Sequence, residues 1–66
     1  MASKNYTVTG MTCEHCVAAV KDEVGDLAGV SGVNVDLTSG AMTVEGEGFT
    51  DSAIAEAVEE AGYALA

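Results

Sequence analysis

The sequence predicts an α+β fold, a four-stranded antiparallel sheet with two helices packed on one face. Three observations carry this. Apolar and polar residues alternate in three short runs, two further runs space their apolar residues three and four apart, and the last four residues suit a closing strand. In chain order these segments read strand, helix, strand, strand, helix, strand. That is the split βαβ arrangement, the ferredoxin-like βαββαβ sandwich.

Each element follows from its residues. Tyr6 and Val8 alternate with Thr7 and Thr9 until Gly10 ends the run, so residues 4–9 form the first strand. From Cys16 onward Val17, Val20, Val24 and Leu27 recur at helical spacing while Lys21, Asp22, Glu23 and Asp26 fall on other faces. This is an amphipathic helix, with Gly29 as its expected stop. Val33, Val35 and Leu37 alternate with Asn34 and Asp36. After Thr38-Ser39-Gly40 the alternation resumes at Met42 and Val44, which makes a β-hairpin with a Ser-Gly turn. Thr50 is placed to cap a second helix, Asp51 suits its first turn, and Ile54, Ala57, Val58 and Ala61 form its apolar face until Gly62 stops it. Residues 63–66 close the sheet. The expected core is Tyr6, Val8, Val17, Val20, Val24, Leu27, Val33, Val35, Leu37, Met42, Val44, Ile54, Val58 and Leu65, flanked by Phe49.

Sixty-six residues make one domain, 1–66, with a small core and no room for a deep enzyme cleft. Two Lys and Arg against eleven Asp and Glu give a net charge of −9, which weighs against nucleic acid and anionic membrane surfaces as partners. The acidic group Glu56, Glu59 and Glu60 reads as a solvated face. The N-terminus carries no signal-peptide pattern and the chain has no run long enough to span a bilayer. The expectation is a cytoplasmic protein with reduced thiols.

The chemistry lies in Gly10-Met11-Thr12-Cys13-Glu14-His15-Cys16, which holds both cysteines of the chain. A bridge across two intervening residues closes a loop too small to be a useful staple. At a helix start, unpaired N–H groups and the positive end of the macrodipole favour thiolate over thiol. Two thiolates so placed can bind a soft metal or exchange with disulfides. Cu(I) accepts two thiolates, whereas Zn(II) asks for four ligands.

With that loop between the first strand and the first helix, the chain resembles the heavy-metal-associated domains, and more narrowly the bacterial copper chaperones. The likeness runs from Gly10-Met11-Thr12-Cys13 through Cys16 and the acidic second helix to Ala61-Gly62-Tyr63. It implies that Cys13 and Cys16 bind one Cu(I) and pass it by thiolate exchange to a partner, the metal-binding domain of a copper-exporting P-type ATPase. A copper-responsive regulator is a further possible recipient. It also implies that Met11 is structural, anchoring the loop by packing into the core, and that Tyr63 shields the site from the end of the second helix. His15, the sole histidine, is expected to point to solvent outside the primary site. Exposed beside bridging thiolates, it is a candidate ligand for additional ions in a copper-bridged homodimer. Glu14 is expected to be solvated.

Two rival classes remain. Cys-x-x-Cys is also the redox motif of thiol–disulfide oxidoreductases, although the Trp and Pro of thioredoxin-like proteins are missing here. The chain could also be a metal-binding domain excised from an ATPase; its initiator methionine and its end directly after the last strand favour a free-standing chaperone. Within the same fold, Thr12 stands where zinc- and cadmium-linked domains often carry a carboxylate, and mercury-binding relatives are periplasmic.

Overall fold

A computed structural model describes residues 2–66. Its elements are β1 (Ala2–Thr9), α1 (Glu14–Gly25), β2 (Val30–Val35), β3 (Ala41–Gly46), α2 (Asp51–Glu60) and β4 (Ala64–Leu65). The sheet order is β2-β3-β1-β4 and every neighbouring pair is antiparallel. Each βαβ unit therefore skips one strand, α1 linking β1 to β2 across β3 and α2 linking β3 to β4 across β1. This is the expected ferredoxin-like sandwich.

The strand pleat sorts the residues. Even-numbered Val8, Met42 and Val44 face the helices and are buried with Val20 and Val24 of α1 and Ile54, Ala57 and Val58 of α2. Removing each such large apolar side chain from water contributes about 1.5–3 kcal/mol. On the other face Ser3, Asn5, Thr7, Thr9, Asn34 and Glu45 are exposed, and the Thr43 hydroxyl donates to Asn5 Oδ1 at 2.8 Å. One face is core and the other is solvated.

Several boundaries differ from expectation. β1 starts at Ala2, not residue 4, because Ala2 and Ser3 continue the ladder opposite Gly46 and Glu45. α1 starts at Glu14, not Cys16, and ends at Gly25, where the Asp26 N–H closes the last turn on the Asp22 carbonyl at 3.2 Å. Leu27 and Gly29 thus lie in the connection to β2, and the Gly29 carbonyl accepts the Glu47 N–H at 2.7 Å. The β2–β3 turn is also longer than read. Asp36 Oδ1 accepts the Thr38 N–H at 2.9 Å and the Asp36 carbonyl accepts Gly40 N–H at 2.8 Å, so the chain leaves the strand after Val35. Leu37 falls in that turn, half-buried and outside the core; Val17 is likewise only half-buried, near the open start of α1. Tyr6, Leu27, Val33, Val35, Phe49 and Leu65 pack against the core as partly buried flanks. Ala57 is a core residue the sequence pattern left among the helix's apolar face.

α2 is secured at its start. Thr50 caps it, its hydroxyl accepting the Ala53 N–H at 3.1 Å, and Asp51 Oδ1 receives the Tyr6 hydroxyl at 2.8 Å and Lys4 Nζ at 3.2 Å. No helix among the described residues is long and apolar enough to cross a membrane.

Candidate metal centre

β1 ends at Thr9, and residues 10–12 carry the chain across to α1. Cys13 occupies the N-cap position in extended conformation, φ −156° and ψ 173°, and its carbonyl accepts the N–H of Cys16 at 3.0 Å. Its side chain makes no capping bond. Ser, Thr, Asp or Asn would use a side-chain oxygen to satisfy a first-turn N–H here; a cysteine leaves its sulfur available. Cys16, three residues on, sits in that first turn.

The two sulfurs stand 3.6 Å apart as free thiols, Cys13 exposed and Cys16 half-buried. Cys16 is drawn down from the ordinary cysteine value of 9.0 to about 6. The Thr12 backbone N–H contributes most, followed by the Tyr63 hydroxyl and the Cys13 backbone N–H, which together outweigh partial burial. The Thr12 hydroxyl adds a contact at 3.9 Å. In return, hydrogen bonding to Cys16, then burial, then the negative charge of both sulfurs push Tyr63 above its usual value. All three donors favour the charged form of the Cys16 sulfur.

Tyr63 comes to the cysteine loop through the way α2 ends, its ring lying against Gly10, where a Cβ would stand 3.4 Å from Cδ1. The Gly62 N–H bonds the Glu59 carbonyl at 2.9 Å and the Tyr63 N–H bonds the Val58 carbonyl at 3.0 Å, the two bonds of a Schellman motif, with Gly62 at φ +96° as its left-handed residue. That turn reverses the chain onto the metal loop.

The structure thus brings together Cys13, Cys16 and Tyr63. Met11 is half-buried and packs against the core, the position expected of a loop anchor. His15 and Glu14 are exposed on the first turn of α1. Thr12 as a donor to Cys16 escaped sequence reasoning, because only the folding back of the loop brings its N–H to a sulfur four residues ahead. Glu56, Glu59 and Glu60 are exposed along the groove between α1 and α2, with Glu23 and Asp26. Among the described residues no group of three or more His, Cys, Asp or Glu side chains converges as a metal cage. The loop brings two sulfurs together as neighbouring soft donors.

Comparison with known proteins fits this site to a family. The model of the heavy-metal-associated domain matches residues 5–64, and the chain belongs to that family. It is similar to the copper chaperone CopZ of Bacillus subtilis (strain 168), with 43% identity over 68 residues that cover 100% of this chain and 99% of the relative. It is also 40% identical over 63 residues to copper-transporting ATPase 2 of Rhizobium meliloti (strain 1021), covering 94% of this chain but 8% of that protein. Among solved structures, a CopZ metallochaperone superposes with a TM-score of 0.94 at 28% identity, covering 98% of this chain and all of the other.

Proposed function

We propose that the chain is a cytosolic carrier of Cu(I), a domain that holds one ion between Cys13 and Cys16 and passes it to the metal-binding domain of a copper-exporting P-type ATPase. The observation that carries this reading is the pair of sulfurs 3.6 Å apart at a helix start, one of them exposed. Two-coordinate Cu(I) leaves room for an incoming thiolate. The acceptor's sulfur bonds copper first, a three-coordinate bridge forms, and the donor's sulfurs leave one at a time, so free copper is never released. Similarity to CopZ over nearly its whole length supports the carrier, and similarity to one segment of a copper-transporting ATPase supports a recipient of the same fold.

The test is a Cu(I) titration of reduced protein against a chromophoric Cu(I) chelator, with Zn(II) in parallel and Cys13→Ser and Cys16→Ser as controls. One tightly held copper, lost in both variants, is the expected result. Failure to compete with the chelator would overturn the reading and return attention to thiol–disulfide exchange.

A further inference from the structure

β2 is an outer strand of the sheet, and no element among those described covers its free side. The Asp36 N–H donates to the Ala41 carbonyl at 2.8 Å, and Asn34 stands opposite Thr43. Backbone groups alternate in direction along a strand, so the even-numbered residues bond β3 while the N–H and C=O of Val33 and Val35 face outward. An open edge is usually blunted by a charged side chain, a proline or a bulge. Here the bulge between Val30 and Gly32 bends the first half, and the Ser31 hydroxyl turns back to the Glu45 carbonyl at 3.2 Å. The second half has no such guard. Val30-Ser31-Gly32-Val33-Asn34-Val35 holds neither charge nor proline in a chain of net charge −9, and its three valines are only half-buried. The opposite edge differs: β4 pairs with β1 at Val8 and Thr9, and the remainder of β1 carries Lys4. Beside β2, a groove of about 250 Å³ separates the strand from α1, lined by Lys21, Asp22 and Gly25 on the helix and by residues 30–33 on the strand. Lys21 and Asp22 are exposed, and neither has an ion-pair partner among the described residues, whereas Lys4 is held by Asp51.

We propose that β2 is the contact surface of a homodimer: a second copy, turned about a two-fold axis beside Val33, lays its own β2 antiparallel to this one and joins the two sheets. The outward backbone groups of Val33 in the two copies bond each other, and the valines of one strand cover those of the other. Lys21 and Asp22 of each α1 then meet Asp22 and Lys21 of the second copy. One patch that carries both signs is what a two-fold contact requires, because whatever one copy offers it must also accept. The uncharged strand is also where two chains of charge −9 approach with least repulsion. None of the groove residues belongs to the loop of Cys13 and Cys16, so the contact is independent of copper and of the carrier reading.

The experiment is sedimentation velocity of the reduced, metal-free chain over a concentration series. The variants are Lys21→Glu, Asp22→Lys, the Lys21→Glu/Asp22→Lys pair and Val33→Pro, each checked for folding by circular dichroism. The wild-type chain should form a weak, concentration-dependent dimer, as a small contact does. Val33→Pro removes an N–H that faces away from β3 and should leave a folded monomer; should it not fold, the charge variants still decide. Each single charge variant sets like charges against each other and should weaken dimerisation roughly two- to thirtyfold, the span of two exposed ion pairs. The paired variant should restore it. Asp22→Lys is the sharpest arm, because losing one negative charge and gaining one positive takes the chain from −9 to −7, and general repulsion alone would then strengthen the dimer. A monomer at every wild-type concentration, a dimer strengthened by Asp22→Lys, or a paired variant as weak as the single ones would overturn the proposal.

Discussion

The Tyr6 hydroxyl donates a 2.8 Å hydrogen bond to Asp51 Oδ1, joining the middle of β1 to the first turn of α2. Lys4 reaches the same oxygen at 3.2 Å. Asp51 is thus both a favourable charge at a helix N-terminus and the anchor of two strand side chains. Its pairing with Tyr6, then Lys4, lowers its pKa from 3.8, while burial, the hydrogen bond and the charge of Asp51 raise Tyr6 from 10.0 to about 12.

The pH dependence of stability follows from these signs. A depressed carboxylate contributes stability that is present above its unfolded pKa and lost as pH falls through its lower folded value, so the Asp51 contribution fades on acidification below 3.8. A raised phenol contributes stability that is complete below pH 10.0 and lost as pH climbs to about 12. Tyr6→Phe should cost about 1 kcal/mol at neutral pH, a fall in Tm of roughly 4–8 °C. Thermal melts across pH should show the wild-type advantage over Tyr6→Phe shrinking above pH 10.0.

The lowered Cys16 pKa is open to direct measurement. In a Cys13→Ser background, the rate of Cys16 alkylation by iodoacetamide should rise with pH and inflect below the 9.0 of an ordinary cysteine. Tyr63→Phe removes the second-largest cause of the shift and should move the inflection upward. The apo chain should also gain stability as pH rises from about 6 to 9.0, the window between folded and unfolded values. An inflection that Tyr63→Phe leaves in place would reduce Tyr63 to a packing role.

Much of this molecule was legible in its sequence, for a physical reason. The period of 2 in β1, β2 and β3 and the helical spacing of α1 and α2 reflect burial on one face, so element order and most of the core follow from apolar pattern alone. What escaped depends on hydrogen bonds made by neighbours. Leu37 keeps the strand alternation, yet Asp36 turns the chain before it. Val17 keeps the helix spacing, yet at the start of α1 it is only half-covered. The site divides the same way, since Cys13 and Cys16 are visible as a motif whereas the donors from Thr12 and Tyr63 exist only once a loop and a Schellman turn have folded.

Stability measurements would separate these cases. Met42 is fully buried at the centre of the sheet, and Met42→Ala should cost about 2–5 kcal/mol through lost burial and the cavity left behind. Leu37 satisfies the same alternation but lies half-buried in a turn, and Leu37→Ala should cost under about 1 kcal/mol. Urea unfolding of the two variants decides between pattern and position. Equal losses would place Leu37 in the core after all.

His15 is the remaining ligand candidate, and its exposure fixes what its removal should do. It stands on the first turn of α1 between the two cysteines, with its ring open to solvent. A side chain so placed is available to an ion bridging two copies of the loop more readily than to one held between Cys13 and Cys16 of a single chain. His15→Ala should therefore leave the first copper bound with wild-type affinity in the chelator competition. With copper in excess, it should weaken any copper-bridged dimer, lowering the dimer fraction in sedimentation velocity at matched loading. Loss of the first copper would instead make the imidazole a primary ligand, and the two-sulfur donor set would have to be extended to three.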